Sequence, residues 1–325
     1  MKQVCKLLLF MSLMLFASCA DGHDDPDVVP AGEERWRVMA VLPVGGLGDH
    51  GYNDNTLIGL ERALLACPDI SMTYIVPESM EEGEWLSRLE TALYTDCPAN
   101  EQLMILFAGS EYRATVEGLM VGDAGLPRME RKRVLLFESA PMDVPVNTFR
   151  LISDSASAEL GRLAAGYAQT AAVLLGSGSD PIIAQASEGF ARGFREAGGT
   201  TVETHALSEG PEGFAMPSEA YRFTADWQAA HPEESTFIFP LAGGSNMGVY
   251  RYTREYPGAV WTAGLDVDQR HLSKSVIASL VKHTDEILLR YVLDWREGRD
   301  WPRHTDYDLD SGMIELIYSE TTIKR

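Results

Sequence analysis

Basic residues are scarce in this chain of 325: 27 lysines and arginines stand against 48 aspartates and glutamates, a formal net charge of −21. No basic stripe is present to release counterions from a phosphate backbone, which excludes nucleic acid as a partner. Histidine is sparse too. The 7 histidines are scattered so that no two fall at the i, i+4 spacing, and no cysteine or carboxylate set has the spacing of a metal site. Neither a Gly-x-Ser-x-Gly elbow nor a Gly-Lys-Ser/Thr phosphate loop occurs, so the chain carries no signature of an enzyme. Long apolar runs are also missing: Leu7 to Ala17 falls short of the roughly 20 residues that cross a bilayer.

What is there begins with an export leader. Lys2 and Lys6 supply a positive start, Leu7 to Ala17 an apolar stretch, and Phe16-Ala-Ser18 the small residues that precede a cleavage point. Leu15-Phe-Ala-Ser-Cys19 resembles the lipobox of bacterial lipoproteins, which implies that Cys19 is lipidated, becomes the mature N-terminus and attaches the protein to a membrane of the cell envelope. Residues 1–19 are therefore lipoprotein signal and lipobox. Residues 20–35 are polar, acidic and Pro/Gly-containing, and read as a flexible tether. Asp21, Asp24 and Asp25 resemble the acidic export signal of some surface-exposed lipoproteins. Of four cysteines only Cys67 and Cys97 fall in the folded part, where a disulfide and two unpaired thiols are both open.

The length suggests two domains of about 150 residues each. From residue 36 onward short apolar runs alternate with helical patterns, the mark of βαβ units and parallel sheets. The first set reads as strands at 36–42, 71–76, 103–107 and 133–137 with helices at 54–66, 82–94 and 113–122. A second set follows Phe149-Arg-Leu-Ile152: a long helix 156–175, strand 182–184, helix 189–197, strand 202–206, helix 218–230 and strand 236–239. Helix 246–255, strand 259–265, helix 284–297 and a last strand at 313–318 complete it.

The stretch Val41-Leu-Pro-Val-Gly-Gly-Leu-Gly-Asp-His-Gly-Tyr-Asn-Asp-Asn55 joins the first strand to the first helix, at the strand end where open sheets bind ligands. Asn53 or Asp54 is placed to cap that helix. Two readings stand side by side. Gly46-Leu-Gly48-Asp-His-Gly51 satisfies the GxGxxG dinucleotide pattern, but the acid that pattern wants roughly 20 positions on comes late, at Glu78. The other reading is the pocket loop of a two-domain binding protein.

Further segments favour the second. Gly45-Gly-Leu-Gly-Asp49-His-Gly-Tyr52-Asn53 resembles the Gly-Gly-x-x-Asp-Lys-Ser-Phe-Asn loop of the basic membrane protein family, the purine nucleoside-binding lipoproteins of ABC transporters. Glu159 to Tyr167, Gly189 to Phe194, Phe239 to Tyr250, Gly264-Leu-Asp266-Val-Asp268-Gln269 and Ala278 to Asp285 are similar to further family segments, in family order. The chain departs from the pattern at His50, Gly51 and Tyr52, where the family has lysine, serine and phenylalanine.

The resemblance implies an α/β chain with a type I periplasmic-binding-protein fold: two Rossmann-like lobes with parallel sheets, joined by three crossover strands and closing on a ligand. The expected crossovers lie near Asn147, Leu265 and Trp301. One lobe then holds residues 36–147 and about 265–300, the other 148–264 and about 301–325. Carried over residue by residue, Tyr52 and Phe214 would sandwich a base, with a staple on the next helix as the alternative role for Phe214. Asp266 and Lys282 would bind ribose hydroxyls. Asp49 and Asn53 would orient the loop or reach the base edge, Glu138 would read that edge, and Gly244 would allow close approach. The implied partners are a small ligand and an ABC permease, with no cofactor. A lipid-anchored sensor, or a receptor for a sugar-like solute, is the alternative.

Overall fold

The computed structural model describes residues 34–77, 82–122 and 129–320. Cys19, the leader, the tether as far as residue 33, and Glu78 lie outside the described residues. Within them the alternation resolves into two six-stranded sheets flanked by helices, an α/β architecture.

The first sheet holds β1 (Arg35–Val41), β2 (Ile70–Ile75), β3 (Glu101–Phe107), β4 (Lys132–Leu136), β5 (Asn147–Leu151) and β11 (His304–Tyr307). Its order is β11-β5-β4-β3-β1-β2, with every pair parallel. The second sheet holds β6 (Thr170–Ser177), β7 (Thr201–Ser208), β8 (Thr236–Leu241), β9 (Val260–Asp266), β10 (Val276–Lys282) and β12 (Ile314–Tyr318). It runs β12-β10-β9-β8-β6-β7, and only β12 is antiparallel. Helices α1 (Tyr52–Ala66), α2 (Glu82–Tyr94) and α3 (Arg113–Gly122) belong to the first set, as expected. Helices α4 (Asp154–Ala165), α5 (Pro181–Glu196), α6 (Pro217–Ala230) and α7 (Asn246–Glu255) belong to the second, and α8 (Thr284–Arg296) returns to the first. None of the described helices is long and apolar enough to cross a membrane.

Two expectations are corrected here. The long helix 156–175 is α4 followed by β6. Ala171-Ala-Val-Leu-Leu175 is buried on both faces in an interior strand of a sheet, and such a run has no periodicity to distinguish strand from helix. The strand expected at 182–184 is the first turn of α5. Asp180 caps that helix, its Oδ1 accepting from the Ile182 N–H at 2.8 Å, and Pro181 opens it. Strands β5 and β11 were expected only as crossover strands near Asn147 and Trp301, and β10 was not expected as a strand; it is buried along its whole length and shows no alternation.

The crossings also move. Asn147 opens β5, the strand from whose end the chain first crosses, whereas Leu265 lies inside β9 and is not a crossover. The chain leaves the first sheet after Leu151, comes back after Lys282 and leaves again beyond Tyr307. The stretch 265–282, expected in the first lobe, pairs within the second sheet, while α8 packs on α1 of the first. Sheet membership is decided by which backbone each strand hydrogen-bonds, and no local pattern carries that. Cys67 and Cys97 are unpaired thiols.

Close approach of α4 and α5 closes the second lobe. A β-carbon at Gly193 would overlap the Ala158 carbonyl, and one at Gly161 the Phe190 carbonyl. Gly193→Ala is expected to destabilise the protein by about 1–3 kcal/mol through overpacking, read as a lower urea midpoint, whereas Ala at the open helical position Gly118 has no neighbour to strike.

Candidate ligand-binding cleft

The loop after β1 is held by its own carboxylates. Asp49 accepts from the backbone N–H groups of Gly51 (2.9 Å), Asn53 (2.9 Å) and Asp54 (3.2 Å), and Asp54 accepts from those of Gly48 (2.7 Å) and His50 (3.0 Å). The Asn53 amide donates to the Gly46 carbonyl at 2.6 Å. Asp49, rather than Asn53 or Asp54, therefore satisfies the donors that open α1. Burial raises the Asp49 pKa even against these three N–H groups. Gly46 and Gly48 have φ of 71° and 87°, where a side chain would be strained. This arrangement tells against the dinucleotide reading, because amides that would bind a pyrophosphate already serve aspartates.

Across the loop lies a buried ion trio. Lys282, the last residue of β10, places its Nζ 3.2 Å from Glu138 Oε1 and 3.5 Å from Asp266 Oδ1. The three side chains are 9%, 6% and 8% exposed. Glu138 follows β4 in the first lobe, and its Oε2 also accepts from the Leu151 N–H at 3.0 Å. Asp266 ends β9 in the second. Both carboxylate residues sit in the left-handed region, Glu138 at φ 49° and Asp266 at φ 68°, a conformation that costs about 1–3 kcal/mol each and clusters at functional sites. Burial pushes Asp266 up to about 6, with Lys282 opposing. Burial works against the Lys282 ammonium, but Glu138 and Asp266 hold its pKa above the ordinary lysine value.

Two aromatic side chains complete the walls. Tyr52 opens α1, and its hydroxyl is buried with no hydrogen-bond partner among the described residues. Burial, with Glu138 and Glu111 adding, keeps that hydroxyl protonated. Phe214 lies in the 3-10 turn Pro211–Ala215, and its ring covers Gly176 at the end of β6 and touches Gly243. Its anchorage is thus the sheet end rather than a staple on α6. A cleft of about 750 Å³, partly open to solvent, brings together all eight residues singled out in the sequence: Asp49, Tyr52, Asn53, Glu138, Phe214, Gly244, Asp266 and Lys282.

Sequence reasoning missed Glu111, Asp180, Ile182 and Ile183, which line the same cleft. Asp180-Pro181 is a helix-start signal and Gly109 marks a strand end, but misreading β6 as helix hid the strand-to-helix loop that carries Asp180. Besides the Lys282–Glu138 bond, further hydrogen bonds between described residues cross between the lobes. Ser110 Oγ donates to Asp180 Oδ2 at 3.0 Å, the Gln269 amide to the His50 carbonyl at 2.8 Å, and the Asn55 amide to the Lys282 carbonyl at 3.1 Å. Gln269 is aimed by Tyr250 and Leu265, whose O–H and N–H both donate to its Oε1.

The trio generates a test of coupling. Lys282→Met leaves Glu138 and Asp266 facing each other without a cation and is expected to lower stability by about 3–5 kcal/mol. Adding Asp266→Asn should recover part of that loss, giving a non-additive double-mutant cycle in urea unfolding near neutral pH. Additive losses would show that the three groups do not act together.

No protein-family model matches this sequence, and none of the characterised proteins compared with it matches. Solved structures, however, share its fold. An ABC transporter solute-binding protein from Aeropyrum pernix K1 superposes with a TM-score of 0.73 at 18% identity, over 89% of this chain and 78% of that one. A transcriptional activator of the comK gene from Bacillus halodurans gives 0.64 at 14% identity, over 88% and 91%. An ABC transporter solute-binding protein from Burkholderia graminis C4D1M, in complex with D-arabinose, gives 0.66 at 13% identity, over 91% and 99%. The chain is an α/β protein of the type I periplasmic-binding-protein fold.

Proposed function

We propose that this protein is an extracytoplasmic solute-binding protein of the basic membrane protein type, held to the membrane through lipid on Cys19, that captures a purine nucleoside for an ABC permease. The observation that carries the reading is the Glu138–Lys282–Asp266 trio beside Tyr52 and Phe214 in one cleft. A ribose diol needs acceptors for its O–H groups and a donor for its oxygens, and two carboxylates with an ammonium supply both. The aromatic rings offer stacking worth about 1–3 kcal/mol per base. At Gly244 a β-carbon would lie 3.2 Å from the Phe214 carbonyl and 3.4 Å from the Asp49 β-carbon, so glycine leaves the cleft wall open. An anionic nucleotide is disfavoured by the carboxylates around Lys282.

A sugar-like solute is the second reading, favoured by the bound D-arabinose in the Burkholderia neighbour. The same cleft would serve a sensor, a role suggested by the Bacillus regulator of like fold. No group in the cleft argues for catalysis, and the reading is of a binder.

Calorimetry and thermal-shift screening of nucleosides, nucleobases, nucleotides and sugars test the ligand. Guanosine, inosine or adenosine should bind. Asp266→Ala should then weaken binding by at least about 1.5–3 kcal/mol, the worth of hydrogen bonds to a charged group, and Tyr52→Ala by a comparable stacking contribution. Binding of a free sugar while all three nucleosides fail would transfer the assignment to the second reading. Cys19→Ala should detach the protein from membranes or leave its leader uncleaved; wild-type fractionation with the same mature N-terminus would refute the anchor.

A further inference from the structure

Five carboxylates line the cleft, from Asp49, Glu111, Glu138, Asp180 and Asp266, against the one lysine, Lys282. Three of the five are accounted for. Asp49 serves backbone amides of its loop, and Glu138 and Asp266 share Lys282. Glu111 and Asp180 come from opposite lobes, one after β3 and the other before α5; Asp180 Oδ1 caps α5 and Glu111 accepts from backbone N–H groups, that of Val44 among them, but neither has a cation. Ser110 Oγ reaches Asp180 Oδ2 at 3.0 Å, which sets the Asp180 carboxylate beside the residue next to Glu111. Glu111 folds back over Gly109, where any β-carbon would overlap its carboxylate. Among the described residues no lysine, arginine or histidine forms an ion pair with either acid.

A further group on the same wall lacks a partner. The buried Tyr52 hydroxyl feels Glu138, Glu111, Asp266 and Asp180 and hydrogen-bonds to none of the described residues. The cleft therefore holds two acids that have backbone or hydroxyl donors but no cation among the described residues, and beside them a hydroxyl with no partner among those residues.

We propose that Glu111 and Asp180 form a clasp for an amino group on the ligand, so that the protein selects an amine-bearing solute over its amine-free counterpart. The proposal rests on the solute-binding reading above and narrows it. An amino group presents two or three hydrogens in different directions and is satisfied by acceptors on more than one side. Acceptors from opposite lobes are both within reach only when the cleft is shut, so the same contacts that recognise the amine favour closure. Without a ligand, burial pushes Glu111 up to about 7, and the charge of Asp180 adds to this. The groups facing Glu111 are Asp180 from the second lobe and Tyr52 from α1, with Glu138 and its partner Lys282 deeper in the cleft.

The test uses matched ligands on the full-length chain in detergent: adenosine against purine riboside for an aromatic amine, and glucosamine against glucose for a protonated alkyl amine. In at least one pair the amine should bind about ten-fold tighter or better, and Glu111→Gln should narrow that preference to under about three-fold. A preference below three-fold in both pairs, a preference that survives Glu111→Gln, or no binding of either amine overturns the clasp. Inosine and D-arabinose test the nucleoside and sugar readings separately, since binding of either without an amine preference sinks the clasp alone. A ligand-free measurement guards against a misfolded variant. Folded Glu111 holds its proton to about 7 while the unfolded carboxyl loses it near 4.5, so stability falls as pH rises through that window. Glu111→Gln removes that loss and should raise the melting temperature of the free protein by about 3 °C or more near pH 8, with no gain near pH 4.5. A melting temperature unchanged near pH 8 would show that Glu111 is not an uncompensated acid, and the clasp would fall.

Discussion

The buried Lys282 ammonium is the constraint on which the cleft depends. An ion of this kind is tolerated in a protein interior only when paired and hydrogen-bonded. Its partners come from both lobes, Glu138 from the end of β4 and Asp266 from the end of β9, and both adopt left-handed backbone geometry near the ammonium. The strain is local, but it is held by two sheets, with Glu138 two residues past the end of β4 and Asp266 the last residue of β9. Lys282 itself stands one residue before the chain returns to the first lobe. Charge pairing, sheet termination and the second crossover therefore meet at one point, and a change in any of them is felt by the others.

Around that point the glycine-rich loop does something other than what its pattern suggests. A strand, a Gly-x-Gly-x-x-Gly turn and a helix usually mean an anion site, because the free amides of the turn and the helix start point at the ligand. Here Asp49 and Asp54 occupy five such amides between them. The amides of the loop are thus satisfied internally, and its outward offering is the Tyr52 ring and the His50 carbonyl that receives Gln269 from the other lobe. Two aspartates turn an anion cradle into a wall of a closable cleft.

The seam between lobes carries opposing forces. Gln269–His50, Asn55–Lys282 and Ser110–Asp180 draw the lobes together. The carboxylates facing one another across the same seam resist, and burial holds Glu111 and Asp266 above their ordinary values. A ligand that supplies donors to those acids shifts the balance toward closure through contacts the open form lacks.

The eight residues named from the resemblance line one cleft, since each lies at or near a strand end or a helix start that faces it. Helices α2, α3 and α7 were readable from their apolar spacing. Strand β6 was not, since Ala171-Ala-Val-Leu-Leu175 is apolar on both faces and has no period to detect, and with it went Asp180. The sequence by itself determined the alternating α/β plan, the acid-rich composition and the places where the chain turns. Only the tertiary structure decided which sheet each strand joins, moving the crossings to the ends of β5, β10 and β11, and which carboxylates share a cation. Partners such as Glu138 and Lys282 lie 144 residues apart, and long-range backbone pairing sets who meets whom.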